Sequence, residues 1–191
     1  METKKLIILG ALFSLLILLL VIFFITVGEE NQVSTSPKSL SSSEKSSEET
    51  METQKVVLFY LSEDGYLHPE EREIPLHPSL ADQAKQTVHE LVRGSEEGYI
   101  SPFPVGTNLR ELYITEKGVA YVDFSITLRE KHPSGSTAEV STIFSIVNSL
   151  THNFEQIKKV HVLVDGGGRQ TLKGHVDLSR AFSSREDLVV W

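Results

Sequence analysis

The twenty-two residues Leu6–Val27 carry no charge, and within their run of Leu, Ile, Val, Phe and Ala only Gly10, Ser14 and Thr26 intervene. A helix of this length is roughly 33 Å long at ~1.5 Å per residue, against a hydrocarbon core of ~30 Å. Backbone groups in lipid must be bonded within the segment, so a helix is the one single-segment solution. Lys4 and Lys5 precede the stretch; Glu29 and Glu30 follow it. Lysines are retained on the cytoplasmic side, which predicts a cytoplasmic N-terminus at 1–5, a transmembrane anchor at 6–27, and everything later outside the membrane. A cleaved signal peptide would have an apolar region of ~7–15 residues and a small-x-small site; Thr26-Val27-Gly28-Glu29 is a poor one. A buried helix of a soluble protein would show a polar face.

Residues 28–54 contain eight Ser and six Glu and few apolar side chains. Such a segment cannot repay the entropy of ordering, so it is expected to be a flexible linker, with an r.m.s. reach of roughly 30 Å. The chain has no cysteine, which removes disulfides, thiol nucleophiles, thiolate zinc sites and a lipid-modified cysteine together. Beyond residue 54, fourteen Lys and Arg stand against nineteen Asp and Glu. An acidic surface repels phosphate backbones, so nucleic acid is not an expected partner.

Residues 55–182 read as one α+β domain, with a tail at 183–191. Lys55–Leu61 is apolar and rich in β-formers, a strand buried on both faces. Tyr66–Ile74 runs extended toward Pro75. Ser79 caps a helix over Leu80–Arg93, stopped by Gly94, with Leu80, Ala84, Val88 and Leu91 on one face. Leu109–Thr115 and Val119–Ser125 form a hairpin in which Gly118 takes a positive φ. Ser136 and Glu139 read as a capping box for a second helix. Its apolar stripe is Val140, Ile143, Phe144, Val147, Leu150 and Phe154. Lys159–Asp165 is a strand; Gln170–Leu172 and Val176–Leu178 are short extended pieces. The order β-α-β-β-α-β implies a compact sandwich, two helices on one face of a mixed sheet, preceded by the one transmembrane helix.

The search for chemistry yields little. Seven histidines (His68, His77, His89, His132, His152, His161 and His175) show no H-x-x-x-H spacing on a helix. Neither a zinc site nor any other cofactor is expected from them. Ser125 lacks a Gly-x-Ser-x-Gly frame. Asp165-Gly166-Gly167-Gly168-Arg169 follows a strand, but no helix starts there to cradle a phosphate, so it reads as a hairpin turn. Asp123 and Asp165 both end strands and could lie close. As a pair they could do acid–base work on a glycan; as strand-end residues they bond local amides.

Six motifs occur in order: Leu67–Arg72 (LxPExR), Leu91–Gly94, Pro104-x-Gly106-Thr107, Val122-Asp123-Phe124-Ser125, Asn148-Ser149-Leu150-Thr151 and Val164-Asp165-Gly166. Together they resemble the GerMN domain of sporulation and spore germination proteins. The resemblance spans nearly all of 55–182. It implies an extracytoplasmic, non-enzymatic domain of Gram-positive, mostly spore-forming bacteria, similar to modules that assemble in channels between membranes. It carries over no catalytic, cofactor-binding or metal residue. Many relatives are lipoproteins; here Leu6–Val27 stands in place of a lipid anchor. The reading is thus a membrane-anchored interaction or scaffold module of the cell envelope. Its partners would be envelope or sporulation-complex proteins, self-association included. The alternative is a glycan-binding or glycan-hydrolysing domain using Asp123 and Asp165.

Overall fold

A computed structural model describes residues 52–167 and 170–191. The expected N-terminus at 1–5, anchor at 6–27 and most of the linker at 28–54 lie outside the described residues, as do Gly168 and Arg169. Among the described residues no helix is long and apolar enough to cross a membrane.

The first strand, β1, runs over Thr53–Leu61, so Thr53 and Gln54, expected in the linker, belong to the domain. The charged run after it is a full strand, β2 (Leu67–Pro75), paired antiparallel with β1. Its burial alternates: Glu70, Arg72 and Ile74 are buried while Glu71 and Glu73 are exposed. Helix α1 spans Leu80–Arg93. Ser79 is its N-cap, with Oγ accepting the Asp82 N–H, and the Gly94 N–H closes its end on the Leu91 carbonyl.

Strands β3 (Leu109–Ile114) and β4 (Val119–Phe124) form the expected hairpin, antiparallel, with a bulge between Leu109 and Glu111. Gly118 in the turn has φ 76°, and a Cβ there would sit 2.6 Å from the Gln156 carbonyl, so no other residue fits without backbone movement. A four-residue helix, α2 (Thr127–Glu130), occupies what reads in sequence as a polar loop. Helix α3 (Ser136–Asn153) follows, then β5 (Lys159–Val164), which pairs parallel with β4. Gln170–Leu172 and Val176–Leu178 form no strand; one bond, from the Leu178 N–H to the Gln170 carbonyl at 2.7 Å, ties them. The tail is part of the domain. A 3-10 turn covers Glu186–Leu188, the Val190 N–H bonds the Leu67 carbonyl at 2.9 Å, and Trp191 packs edge-on against Phe59.

The strands form two sheets, β1-β2 and β3-β4-β5, rather than one. The mixed three-stranded sheet turns Leu112, Ala120, Val122, Phe124, Val160, Val162 and Val164 into the core, where α1 and α3 contact it. What separates β1 from that sheet is α3. Its Ser145, Ser149 and Asn153 lie one turn apart on one face and bond the outer edge of β1. The Phe59 N–H donates to Ser149 Oγ (3.0 Å), and Ser145 Oγ donates to the Phe59 carbonyl. Asn153 accepts from the Val57 N–H (2.9 Å) and donates to its carbonyl (2.7 Å). The helix thereby takes the place of a neighbouring strand.

This arrangement corrects the single-stripe reading of α3: every residue from Ser141 to Leu150 is buried. The stripe of Ile143, Phe144, Val147 and Leu150 is core, and the polar face opposite is buried too, satisfied by β1. The capping box is also absent. Gly135 is the N-cap, with no side-chain bond. Glu139 is instead fully buried, accepting the N–H groups of Lys173 (3.1 Å), His175 (3.2 Å) and Val176 (3.0 Å) and facing His175 Nδ1 at 2.8 Å. Burial pushes its carboxyl up, but these bonds outweigh burial and hold it below the ordinary glutamate value.

Candidate functional site

Asp123 and Asp165, the two carboxylates of the glycan alternative, do come together. Asp123 lies near the end of β4 and Asp165 just after β5, which run side by side. The bulge in β3 brings Arg110 to the same end. Its Nη1 lies 2.6 Å from Asp165 Oδ1 and 3.6 Å from Asp123 Oδ2. The other Asp123 oxygen accepts the Gly166 N–H at 2.9 Å. One guanidinium thus sits against both carboxylates, and an amide occupies one Asp123 oxygen. Clefts of about 610, 360 and 150 Å³ are lined by other residues.

Asp165 and Gly166 have φ of 57° and 70°, and Val164 and Gly167 exchange both backbone hydrogen bonds across them at 3.3 Å. Two central residues in the left-handed region make a type I′ turn, the tightest hairpin connection. The glycine-rich stretch is thus a turn as far as Gly167. Ser125 exchanges bonds with Asn108, its Oγ accepting the Asn108 N–H at 3.1 Å, and no histidine bonds it.

The histidines are dispersed in roles of their own. His68 bonds Asp64 at 2.8 Å and stacks on Tyr99; His132 is buried between the Pro133 carbonyl and Thr142 Oγ1. Burial lowers the His132 pKa against the contrary pull of the Pro133 carbonyl. Among the described residues no three His, Asp or Glu side chains group as metal ligands.

The motif residues converge elsewhere, on a buried ion cluster that sequence reasoning did not find. Arg72 Nη1 lies 3.4 Å from Glu90 Oε2, and its Nη2 bonds Glu70 and, at 3.1 Å, the Gly94 carbonyl. Glu70 further accepts from Ser95 Oγ (2.5 Å) and the N–H groups of Glu96 (3.2 Å) and Glu97 (3.3 Å). Burial pushes the Glu70 carboxyl up, yet the Ser95, Glu96 and Arg72 bonds hold it below its ordinary value. The Tyr60 hydroxyl, raised by burial, donates to the Glu90 carbonyl at 3.2 Å. So LxPExR and the Leu91–Gly94 helix end are two halves of one clamp between β2, the end of α1 and the following loop. Alternation within Pro69–Ile74, which places Glu70 and Arg72 on the face of Ile74, was the available signal. Asn148 is a similar pin: it donates to the Arg185 carbonyl (3.1 Å) and accepts the Arg185 N–H (3.0 Å).

On the outer face of the three-stranded sheet, Tyr113, Tyr121 and His161 stand in one row. Ring centroids are 4.7 Å apart between the tyrosines and 5.1 Å between Tyr121 and His161. The rings stack face on face, and Tyr113, at the β3 end of the row, is 51% exposed.

The family described as "Germane: Sporulation and spore germination" matches residues 57–169. No curated protein matches. Solved structures are similar in fold. The first GerMN domain of the sporulation protein GerM from Bacillus subtilis is 24% identical with a TM-score of 0.54, covering 71% of this chain and 100% of that one. The tandem GerMN domains of the same protein give 24% identity and a TM-score of 0.56, covering 71% of this chain and 48% of that one, so this chain spans about half the tandem. A structure named "Putative Lipoprotein" from Clostridium perfringens is 20% identical with a TM-score of 0.50, covering 74% of this chain and 95% of that one.

Proposed function

This chain belongs to the Germane family of sporulation and spore germination, and on that premise we propose that it is a membrane-held, non-enzymatic interaction module of the bacterial cell envelope. Leu6–Val27 would hold it in the membrane as a single pass, with Lys4 and Lys5 inside and the domain outside. A lipoprotein name on one relative of the same fold supports a membrane-proximal setting, reached here by an apolar segment. The linker would let the domain reorient toward partner proteins.

The observation that carries the non-enzymatic reading is Arg110. A glycosidase needs one carboxyl kept protonated and a second aimed at the sugar. Here both face one guanidinium, at the exposed end of a sheet. Crosslinking the tagged full-length protein in its native bacterium, during growth and sporulation, tests the proposal. Recovery of defined envelope proteins is expected, and their absence at both stages would overturn it. Envelope-glycan turnover that is present in wild type and abolished by a folded Asp123→Asn variant would transfer the case to the glycan reading.

A further inference from the structure

The interaction reading leaves open which surface binds. Edge strands present unpaired N–H and C=O groups that template further pairing. Three of the four sheet edges are occupied. The outer edge of β1 bonds Ser145, Ser149 and Asn153 of α3, and at Leu61 the Ile100 N–H at 2.8 Å. On β3, Leu112 is buried where α1 packs on the strand. Strand β5 exchanges both bonds with Phe182 at Val160, at 2.8 Å each, and is bridged by Gly167 at Val164.

The outer edge of β2 differs. Bonds from the Ser62 N–H to the Tyr66 carbonyl (2.9 Å) and from the Leu76 N–H to the Glu52 carbonyl (2.8 Å) close the two ends of the β1-β2 hairpin. By alternation His68, Glu70, Arg72 and Ile74 bond inward to β1, while Leu67, Pro69, Glu71, Glu73 and Pro75 turn their backbone groups outward. The prolines have no N–H, which an edge tolerates. The Val190 N–H takes the Leu67 carbonyl at 2.9 Å. Among the described residues nothing bonds either backbone group of Glu71 or Glu73, and both residues are exposed.

Their side chains lie on the hairpin's outer face, since Glu70, Arg72 and Ile74 are buried on the inner one. Lys55, directly opposite Glu73 on β1, reaches Glu71 at 3.0 Å, both side chains being exposed. Among the described residues no cation bonds Glu73. A cation on the neighbouring strand thus already meets this edge from one side, and the other side is vacant.

We infer that β2 takes up an extended basic segment of a partner protein as an added antiparallel strand, with Lys or Arg at alternate positions opposite Glu71 and Glu73. The inference rests on the interaction-module reading and gives it a surface and a partner chemistry. Directly opposed residues of an antiparallel pair share a face, and those whose groups point at each other exchange both backbone bonds. Each cation therefore brings its N–H and C=O to a glutamate's backbone and its charge to the same glutamate's carboxylate. Opposite charges directly across strands favour pairing, and like charges oppose it. A second copy of this chain does not fit. Any antiparallel register of two β2 edges that uses these donors sets a glutamate against a glutamate, or against Pro69 or Pro75. The charges and prolines that blunt the edge against its own kind leave it complementary to a cation-bearing strand.

The probe is a peptide of alternating lysine and threonine, blocked at both ends, titrated into the full chain in a non-ionic detergent. Fluorescence anisotropy should show saturable binding at low salt. Glu71→Lys combined with Glu73→Lys should weaken it at least about tenfold in a protein whose thermal midpoint shows it folded. Methylating the peptide's lysine amides removes the strand donors and keeps every charge, so it should weaken binding to the wild type at least about tenfold. This second arm needs no variant to fold. Absence of saturable binding, or binding indifferent to the methyl groups, would overturn strand addition; the latter would mark charge attraction alone. In the native bacterium, the folded double variant should lose the envelope proteins that the wild type crosslinks. If it still recovers them, the β2 edge fails as the docking site and the interaction reading stands. If the wild type recovers none, both fail.

Discussion

Two arginines in this domain each gather more than one carboxylate, and burial separates them. Arg72, between Glu70 and Glu90, has a side chain 6% exposed; Arg110, between Asp165 and Asp123, has one 44% exposed. The chemistry is nearly the same and the consequence is not. In the buried cluster each charge has lost its water, so each needs its partner and its surrounding amides and carbonyls. In the other cluster water screens Arg110 and Asp165, buried Asp123 keeps the Gly166 N–H, and the contacts chiefly orient a turn. Sequence position points attention to the strand-end aspartates; burial makes the hairpin glutamate and arginine matter.

Substitution can break that comparison. Arg72→Met should cost about 3–5 kcal/mol, because it leaves Glu70 buried without a cation and leaves Glu90 only Arg93, at 2.7 Å. Chemical denaturation would measure it, and a loss under about 1 kcal/mol would place the two clusters on the same footing. Glu70→Gln keeps shape and one acceptor and should cost less, about 1–3 kcal/mol.

The pH profile sharpens the contrast. Carboxyls held below their ordinary 4.5, as Glu70 and Glu139 are, add stability that is complete above that value and lost as pH falls through the folded one. His132 is held below its ordinary 6.5, so on acidification the unfolded chain takes up its proton first and stability again falls. The thermal midpoint should therefore begin to drop below about pH 6.5 and drop further below about pH 4.5. Glu70→Gln should shrink only the second phase; an unchanged acid limb would contradict the buried-cluster assignment. Smallest of all, Arg110→Met should cost about 0–1 kcal/mol. Asp123→Asn should leave envelope-glycan turnover at the wild-type level, measured on isolated cell-wall material.

Much of the fold was legible because it rests on local chemistry. Ser79 and Gly94 bound α1 at both ends, and Gly118 fixed the β3-β4 turn. The alternation of Ala120, Val122 and Phe124 set the inner face of β4. The Asp165-Gly166 turn also followed from its residues. What failed had a common cause: polar groups whose partners lie far along the chain. Glu139 carries the spacing of a cap, yet it serves the segment at Lys173–Val176. Ser145, Ser149 and Asn153 look like a solvent-facing side, yet they serve a strand about ninety residues earlier. Glu70 and Arg72 look like surface charge, yet they close on the end of α1.

The sequence by itself determined the types of the longer elements, the Gly118 and Asp165-Gly166 turns, the inner faces of β4 and β5 and the absence of cysteine chemistry. Those depend on backbone preference and on apolar spacing over a few residues. Tertiary structure alone decided that there are two sheets rather than one, and which charges are buried. Each of these depends on where a distant donor or acceptor comes to rest. Hydrogen bonding and desolvation are governed by distance in space, and spacing along the chain carries little of it.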